Sequence, residues 1–300
     1  MTPASSYRVF AFLCITSLVI WWPSISSVLA LALRRDAYTH ILLILPVSTI
    51  LIVLDWRRHN WKPTSNIRLD SLLLGIAALV ALVGLRWGRL DILPGDVRLA
   101  LEVMALVIWW IGSFVGCFGA RIARACVFPL LFLLWLIPIP EFVLRHVDFY
   151  LQQGTTSFAR VLLVVAGVPV AQDGTTLTVP GLTLQIAQEC SSIRSSTLLV
   201  ISSVLLSYLF LHSIWSRCFV VLLSIPLSIA KNGLRIFTLA VLSAYWDRSV
   251  LDSPLHHQGG ILFLALALAS VILLTWLVAM VETKAQLLFP GHSAESVSAR

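Results

Sequence analysis

Long apolar runs recur along the whole chain, and they constrain its fold more than any other feature. A bilayer core of about 30 Å is crossed by a helix of roughly 20 apolar residues. Only 12% of the residues are charged, against roughly 25% in soluble domains, so the surface must face lipid. We predict an all-α polytopic membrane protein of about eight transmembrane helices. The expected spans are 9–33, 40–56, 70–85, 99–118, 125–138, 190–211, 218–245 and 257–281.

Basic residues occupy the short connections between these runs and predict the orientation. Basic hairpins follow the second, fourth and sixth spans, with Arg57, Arg58 and Lys62, then Arg121 and Arg124, then Arg217. Positive loops favour the cytoplasmic side, so we place these loops and both termini inside. The net charge of +7 is therefore assigned to loops near anionic headgroups, and not to nucleic-acid binding.

The N-terminal run resembles a secretory signal, because Arg8 precedes it and Ala30-Leu31-Ala32 could be a cleavage site. The run is long enough to span, which favours an uncleaved first helix. We therefore expect one transmembrane domain over 1–282 and a short cytoplasmic tail over 283–300.

The segment 141–167 differs from the spans, because polar and charged residues are mixed with apolar ones. It predicts an amphipathic helix at the membrane interface. Asp173-Gly174 between β-branched residues then predicts a β-hairpin, with a second turn at Pro180-Gly181. Open strand edges are excluded from lipid, so the hairpin should cap the bundle on its extracytoplasmic side.

Cys190 is the cysteine with the most polar neighbours. Glu189 precedes it and Arg194 follows at i+4, on the same helical face. A helix N-terminus and a nearby cation lower a thiol pKa, and a thiolate can attack a carbonyl. The alternative is an inert buried thiol. The other four cysteines lie in or beside apolar runs, and no CxxC pair exists.

The seventh predicted span contains polar residues, and the helical rise predicts that they lie near the outer leaflet. Arg235 lies 18 residues after Arg217 (235 − 217), about 27 Å along a helix, with Lys231 and Asn232 one turn earlier. Charges inside a span are costly and usually functional, although an Arg snorkelling to the headgroups is the alternative.

His256 and His257 open the last span at the same outer side. A thiol, a histidine and a cation from three helices form an acyl-transfer constellation. No helix pairs two histidines at ligand spacing with a carboxylate, so we expect no metal and no organic cofactor.

The order of these motifs resembles the exosortase/archaeosortase family of membrane transpeptidases. The pattern comprises Glu-Cys-Ser-x-Ile-Arg-Ser from Glu189, Asn-x-x-Arg from Asn232, and a histidine followed by Gly260. Tyr38-Thr39-His40, the Ile-Pro-Ile-Pro segment ending at Pro140 and the Gly-Val-Pro-Val segment from Gly167 also agree. The resemblance runs from about residue 36 to 282.

The resemblance implies a role for each matching residue. Cys190 would be the nucleophile, Arg235 the cationic or proton-donating partner and His256 the third catalytic residue. Supporting or substrate-binding roles fall to Glu189, Arg194, Lys231, Asn232 and His40. Two departures are Ser192, where the family usually has Gly, and His257, which leaves open which of the two histidines acts.

The family acts on exported proteins whose C-terminal sorting tail has a Pro-Glu-Pro-like motif, a transmembrane helix and a basic cluster. The resemblance implies cleavage near that motif at the periplasmic face of the bacterial inner membrane. The acyl group would pass from Cys190 to an acceptor tied to the cell surface or to exopolysaccharide. Two alternatives from other classes are an anion transporter lined by Lys231, Arg235 and Arg194, and a His256-dependent membrane acyltransferase that spares Cys190.

Overall fold

The computed structural model describes residues 3–59, 61, 67–87, 93–180, 182–185, 193–245 and 254–288. The chain divides into two compact units, Met1–Leu144 and Arg145–Arg300. Helices of the first unit are α1 Pro3–Ile20, α2 Trp22–Arg34, α3 Ile41–His59, α4 Ile67–Trp87, α5 Gly95–Phe118, α6 Ala120–Ala125 and α7 Val127–Phe132, with 3-10 turns at Asp36–Tyr38 and Leu133–Leu136. Helix α8, Glu141–Val165, begins in this unit and lies mostly in the second.

The second unit holds a small sheet and three long helices. They are β1 Ala171–Asp173, β2 Thr176–Val179, β3 Leu182–Gln185, α9 Ile193–Phe210, α10 Ile214–Tyr245 and α11 Pro254–Leu288. Helix α11 continues beyond residue 282, where we expected the transmembrane domain to end.

Five helical segments of the described chain are long and apolar enough to cross a membrane. They are Asp36–His59, Gly95–Phe118, Ile193–Phe210, Ile214–Ser243 and Leu262–Lys284. Two bent pairs, Ser5–Ile20 with Trp22–Arg34 and Val127–Leu136 with Glu141–Val165, raise the number to seven if each pair is one span. The predicted span at 70–85 lies within α4, where many side chains fall outside the described part. The all-α polytopic membrane fold is thus confirmed, with five to seven candidate spans where we expected about eight.

The predicted first span is bent by 74° between α1 and α2. Trp21 at the bend is buried, and its indole donates a hydrogen bond to the Glu102 carbonyl oxygen at 3.1 Å. Pro23 lies in the first turn of α2, where its missing N–H leaves no helical bond unmade. The chain therefore bends at a buried tryptophan, and Pro23 favours the start of the next helix directly after it.

Aromatic rings gather at one end of the first unit. Tyr7 of α1, Trp56 of α3 and Phe118 of α5 contact one another, with ring centroids 5.1 to 5.8 Å apart. Exposed arginines flank this cluster: Arg8, Arg57, Arg58, Arg121 and Arg124. We call this part of the unit the basic end.

The predicted span at 125–138 is replaced by the short helix α7 and a 3-10 turn. Proline cannot donate a helical hydrogen bond, and Pro138 and Pro140 follow this turn directly. The Tyr38 hydroxyl donates to the Ile139 carbonyl oxygen at 2.8 Å, and the Asp96 carboxylate accepts from the Glu141 amide at 2.7 Å. These bonds fix the start of α8.

Helix α8 mixes polar and apolar residues, as predicted, and polar side chains lie on both its buried and its exposed side. Asp148, Thr155 and Thr156 are buried, whereas Arg145 and Arg160 are exposed.

The sheet is an antiparallel meander in the order β1-β2-β3. Asp173 pairs with Thr176 across the turn at Gly174, whose φ is +57°, and a left-handed backbone of this kind favours glycine. Leu177 and Val179 of β2 pack with Ile236 and Ala240 of α10 in one buried cluster. The predicted turn at Asp173-Gly174 is confirmed, whereas the predicted turn at Pro180-Gly181 includes a residue outside the described ranges. The sheet covers the C-terminal half of α10.

Candidate active site

Glu189 and Cys190 lie outside the described residues, in the connection between β3 and α9. Residue 190 precedes Ile193, the first residue of α9, by three positions. Arg194, Ser195 and Ser196 form the first turn of α9 beyond this connection. Arg194 is exposed, whereas both serines are buried.

A buried polar contact joins the first turn of α9 to the middle of α10. The Lys231 Nζ donates a hydrogen bond to the Ser195 Oγ. One turn away, the Ser228 Oγ donates to the Ser196 Oγ at 2.6 Å. Both bonds can form at once only at one depth and one rotation of α9 against α10. Together they therefore fix how these two helices pack.

Lys231 carries its charged group into the interior of the unit. Its exposed fraction is 6%, and that of Asn232 is 1%. Arg235 is half-buried and lies four residues after Lys231, on the same helical face. Within the described ranges, Lys231 and Asp148 are the only charged residues that are buried. Burying a charged lysine side chain beside a neutral hydroxyl is energetically costly. Charges that are retained inside a membrane span are usually functional.

The sheet lies beside this turn of α10. Ile236, directly after Arg235, packs in the cluster that contains Leu177 and Val179 of β2. Arg235 is therefore at the end of α10 that the sheet covers. The chain leaves β3 at Gln185 and returns at Ile193, so the connection carrying Glu189 and Cys190 starts from the sheet and ends at the helix tied to Lys231.

Helices α8 and α10 approach closely next to Lys231. A Cβ added to Gly233 would lie 2.7 Å from Phe158 Cδ1 and 3.2 Å from the Thr155 carbonyl oxygen. A Cβ added to Gly154 would lie 3.1 Å from Ile229 Cδ1. Glycine at these positions lets the two backbones meet, and this contact fixes the helix turn that bears Lys231, Asn232 and Arg235.

The opposite end of this unit is held by Glu282 of α11. Its carboxylate accepts hydrogen bonds from the His212 and Ser213 amides, at 3.0 and 3.1 Å, just before α10 begins. From Glu282, His256 is 26 residues back along α11 (282 − 256), or about 39 Å. From Ser213, Arg235 is 22 residues along α10 (235 − 213), or about 33 Å. The backbone of His256 thus belongs to the same end of the unit as Arg235; the side chains of His256 and His257 lie outside the description.

His40 belongs to the first unit, apart from the other predicted residues. It is 4% exposed, its Nδ1 is 3.1 Å from the Ala37 carbonyl oxygen, and its ring meets that of Trp135 edge-on at 6.5 Å. These contacts fix the ring within the unit.

Sequence reasoning missed Ser195, Ser196 and Ser228 as parts of this cluster. One signal was present, because Ser228 and Lys231 are three residues apart and share a face in an otherwise apolar helix. The described part of the chain has no group of three His, Cys, Asp or Glu side chains that could hold a metal ion.

Comparison with known proteins agrees with this architecture. No curated protein and no solved structure gave a significant match. The model of one family, described as transmembrane exosortase, matches residues 22–273. That range includes α9, α10, the sheet and the segment carrying Cys190. The chain therefore belongs to the transmembrane exosortase family, whose members are generally cysteine transpeptidases.

Proposed function

We propose that this protein is a membrane-embedded cysteine transpeptidase that removes the C-terminal sorting tail of exported proteins. The single observation that best supports this is the contact between Lys231 and Ser195. It holds the helix that begins three residues after Cys190 against the turn of α10 that carries Arg235. A nucleophile and a cation brought to one depth by two helices are suited to acyl transfer.

In the proposed reaction the Cys190 thiolate attacks the carbonyl carbon of the scissile peptide bond. Arg235 stabilises the negative charge on the tetrahedral oxygen. His256, or its neighbour His257, protonates the departing amine, and the C–N bond breaks to leave an acyl-thioester on Cys190. An acceptor nucleophile then gives its proton to the same histidine, attacks the thioester carbonyl and breaks the C–S bond, which releases the Cys190 thiolate.

The supporting residues have distinct proposed roles. Lys231 and Asn232 hold the start of α9 and the turn bearing Arg235. Glu189 and Arg194 flank the thiol and would contact the substrate or orient the histidine. His40 is proposed as a further supporting residue on the strength of the family pattern alone.

The proposed location is the bacterial inner membrane, with the site facing the periplasm. Arg217 and Lys284 support this orientation within the second unit, because they lie at the end opposite Arg235 and basic ends of membrane helices favour the cytoplasm. A tail with a Pro-Glu-Pro-like motif, one transmembrane helix and a basic cluster would present its motif at the periplasmic face. The acceptor would be tied to the cell surface or to exopolysaccharide.

The test is a processing assay in membranes. A reporter bearing such a tail is co-expressed with the wild type, Cys190→Ala or Cys218→Ala, and its size is followed on a gel. Cys218 is exposed and serves as the matched thiol control. We expect the wild type and Cys218→Ala to shorten the reporter and Cys190→Ala to leave it whole at equal expression.

Continued processing by Cys190→Ala would contradict the proposal and would favour a His256-dependent acyltransferase if His256→Ala were inactive. An anion transporter predicts a different result. It would leave the reporter intact in every version and would tolerate Cys190→Ser in a flux assay.

A further inference from the structure

A cavity lies in the first unit, whereas the residues proposed for catalysis, Cys190, Arg235 and His256, belong to the second. It has a volume of about 680 Å³, within the usual range of small-molecule sites. Its lining is almost wholly apolar and aromatic, and includes Phe10, Trp110 and Phe114. We call it the aromatic groove.

The groove follows two helices from the basic end toward the middle of the bundle. Along α1 it is lined from Tyr7 to Leu18, and along α3 from Arg57 back to Leu45. Their end residues are 11 and 12 positions apart (18 − 7 and 57 − 45), or about 16 and 18 Å along a helix. A hydrocarbon core is about 30 Å thick, so the groove has the length of one leaflet.

Charge at the groove is confined to its basic end. Among the described residues Arg57 is its only charged lining residue, and the Trp56 and Tyr7 rings contact each other at this end. Trp and Tyr are typical of the headgroup level of a membrane. The exposed Arg8, Arg58 and Arg121 lie near the same end, so an occupant must combine an apolar body with an anionic group at this level.

We propose that the aromatic groove binds an acyl chain of an anionic phospholipid from the leaflet at the basic end, with the lipid phosphate held by Arg57. Basic pockets between transmembrane helices on the cytoplasmic side bind acidic headgroups, and the groove adds a channel of matching length for the chain. The basic cluster of a sorting tail would be repelled by these arginines. A second copy of the chain would bring the same positive charge and be repelled in the same way.

The experiment uses the full-length protein purified in a mild detergent. Phosphatidylglycerol or phosphatidylcholine with identical acyl chains is added, and bound lipid is counted by native mass spectrometry. Two matched pairs of variants are compared. Arg57→Gln removes the lining charge and Arg58→Gln the neighbouring one; Val53→Trp fills the groove, whereas Ile50→Trp places the same bulk on an exposed position outside its lining.

We expect the wild type, Arg58→Gln and Ile50→Trp to bind phosphatidylglycerol in preference to phosphatidylcholine. Arg57→Gln should bind it roughly fivefold more weakly, the share of one basic residue near a headgroup, and Val53→Trp should lose the bound lipid. A thermal melt of each variant confirms that it is folded.

Four results would overturn the proposal. Equal binding of the two lipids by the wild type would show that the groove does not select an anionic headgroup. Equal losses of bound phosphatidylglycerol in Arg57→Gln and Arg58→Gln would show that general surface charge, and not Arg57 in particular, attracts the lipid. Retention of lipid by Val53→Trp, or displacement of lipid from the wild type by a basic sorting-tail peptide, would give the groove a different occupant. None of these results depends on Cys190, so processing of the reporter tests the proposed function separately.

Discussion

The two units of this protein both consist of membrane-type helices, yet they bury different chemistry. A cluster of aromatic rings packs inside the first unit at its basic end. Both interiors contain buried serines, but among the described residues the buried charged side chains, Lys231 and Asp148, belong to the second unit. Charged residues inside membrane spans are costly and usually functional. This contrast supports the proposals that the second unit carries out catalysis and that the first binds lipid.

The largest expected effect comes from comparing an arginine of the second unit, Arg235, with an arginine of the first unit, Arg58. Arg235→Gln should lower reporter processing by about 100-fold or more, the usual cost of removing one group that stabilises a developing oxyanion. Arg58→Gln, in the first unit, should process the reporter at the wild-type rate. Initial rates of processing at matched expression check both. Similar rates for Arg235→Gln and the wild type would break the comparison.

Lys231→Met separates a functional lysine from a structural one. Methionine fills similar space without the charge, and replacing a buried charge by an apolar side chain is often neutral or stabilising. We expect a Tm equal to or above that of the wild type, together with processing about tenfold slower because the contact with Ser195 is lost. A lower Tm with unchanged processing would show that Lys231 acts as a stabilising contact alone.

Glycine crossings occur in both units and allow a matched comparison of stability. A Cβ on Gly233 would meet Phe158 and Thr155, and a Cβ on Gly112 of α5 would lie 2.4 Å from Ala77 Cβ. Alanine at either position should reduce stability by about 1–3 kcal/mol, as overpacking does. Only Gly233→Ala should also slow processing by the protein that remains folded.

The control for these crossings is Gly75 of α4, where an added Cβ would have no neighbour within 4 Å. Gly75→Ala should stabilise the protein by up to about 1 kcal/mol through helix propensity. Thermal unfolding in detergent measures all three variants. Destabilisation by Gly75→Ala of the same size as by Gly112→Ala would rule out steric overlap as the cause.

The smallest effect concerns a carboxylate in each unit that accepts from backbone amides. Glu282, whose side chain is 12% exposed, accepts from the His212 and Ser213 amides, and Asp96 accepts from the exposed amide of Glu141. Loss of a helix cap costs about 1 kcal/mol, so Glu282→Ala should lower the Tm more than Asp96→Ala does. Both should leave the processing rate of the folded protein unchanged. A greater loss of Tm in Asp96→Ala would reverse the order.

Local patterns predicted those features that depend on neighbouring residues. The turn at Asp173-Gly174 follows from the left-handed conformation that glycine permits. The depth of Arg235 relative to Arg217 follows from the helical rise alone. The family was recognisable from short motifs around Glu189, Asn232 and Gly260, and the match over residues 22–273 confirms it.

Features set by contacts between distant segments could not be predicted in the same way. The bend at Trp21 depends on a bond to Glu102, 81 residues away. The bond from Lys231 to Ser195 joins two helices whose rotation no local pattern specifies. The burial of Asp148 in α8 could not be predicted either, because the sequence pattern alone does not say which polar side chains face the protein. The roles of Cys190 and His256 remain predictions.

The carboxylate of Glu282 has a consequence for the biogenesis of the protein. It lies 70 residues after the His212 amide that it accepts from. At a synthesis rate of roughly 5–20 residues per second, those residues take about 4 to 14 seconds to emerge from the ribosome. The start of α10 therefore enters the membrane several seconds before its partner exists. The second unit can complete this contact only after translation has reached the last helix.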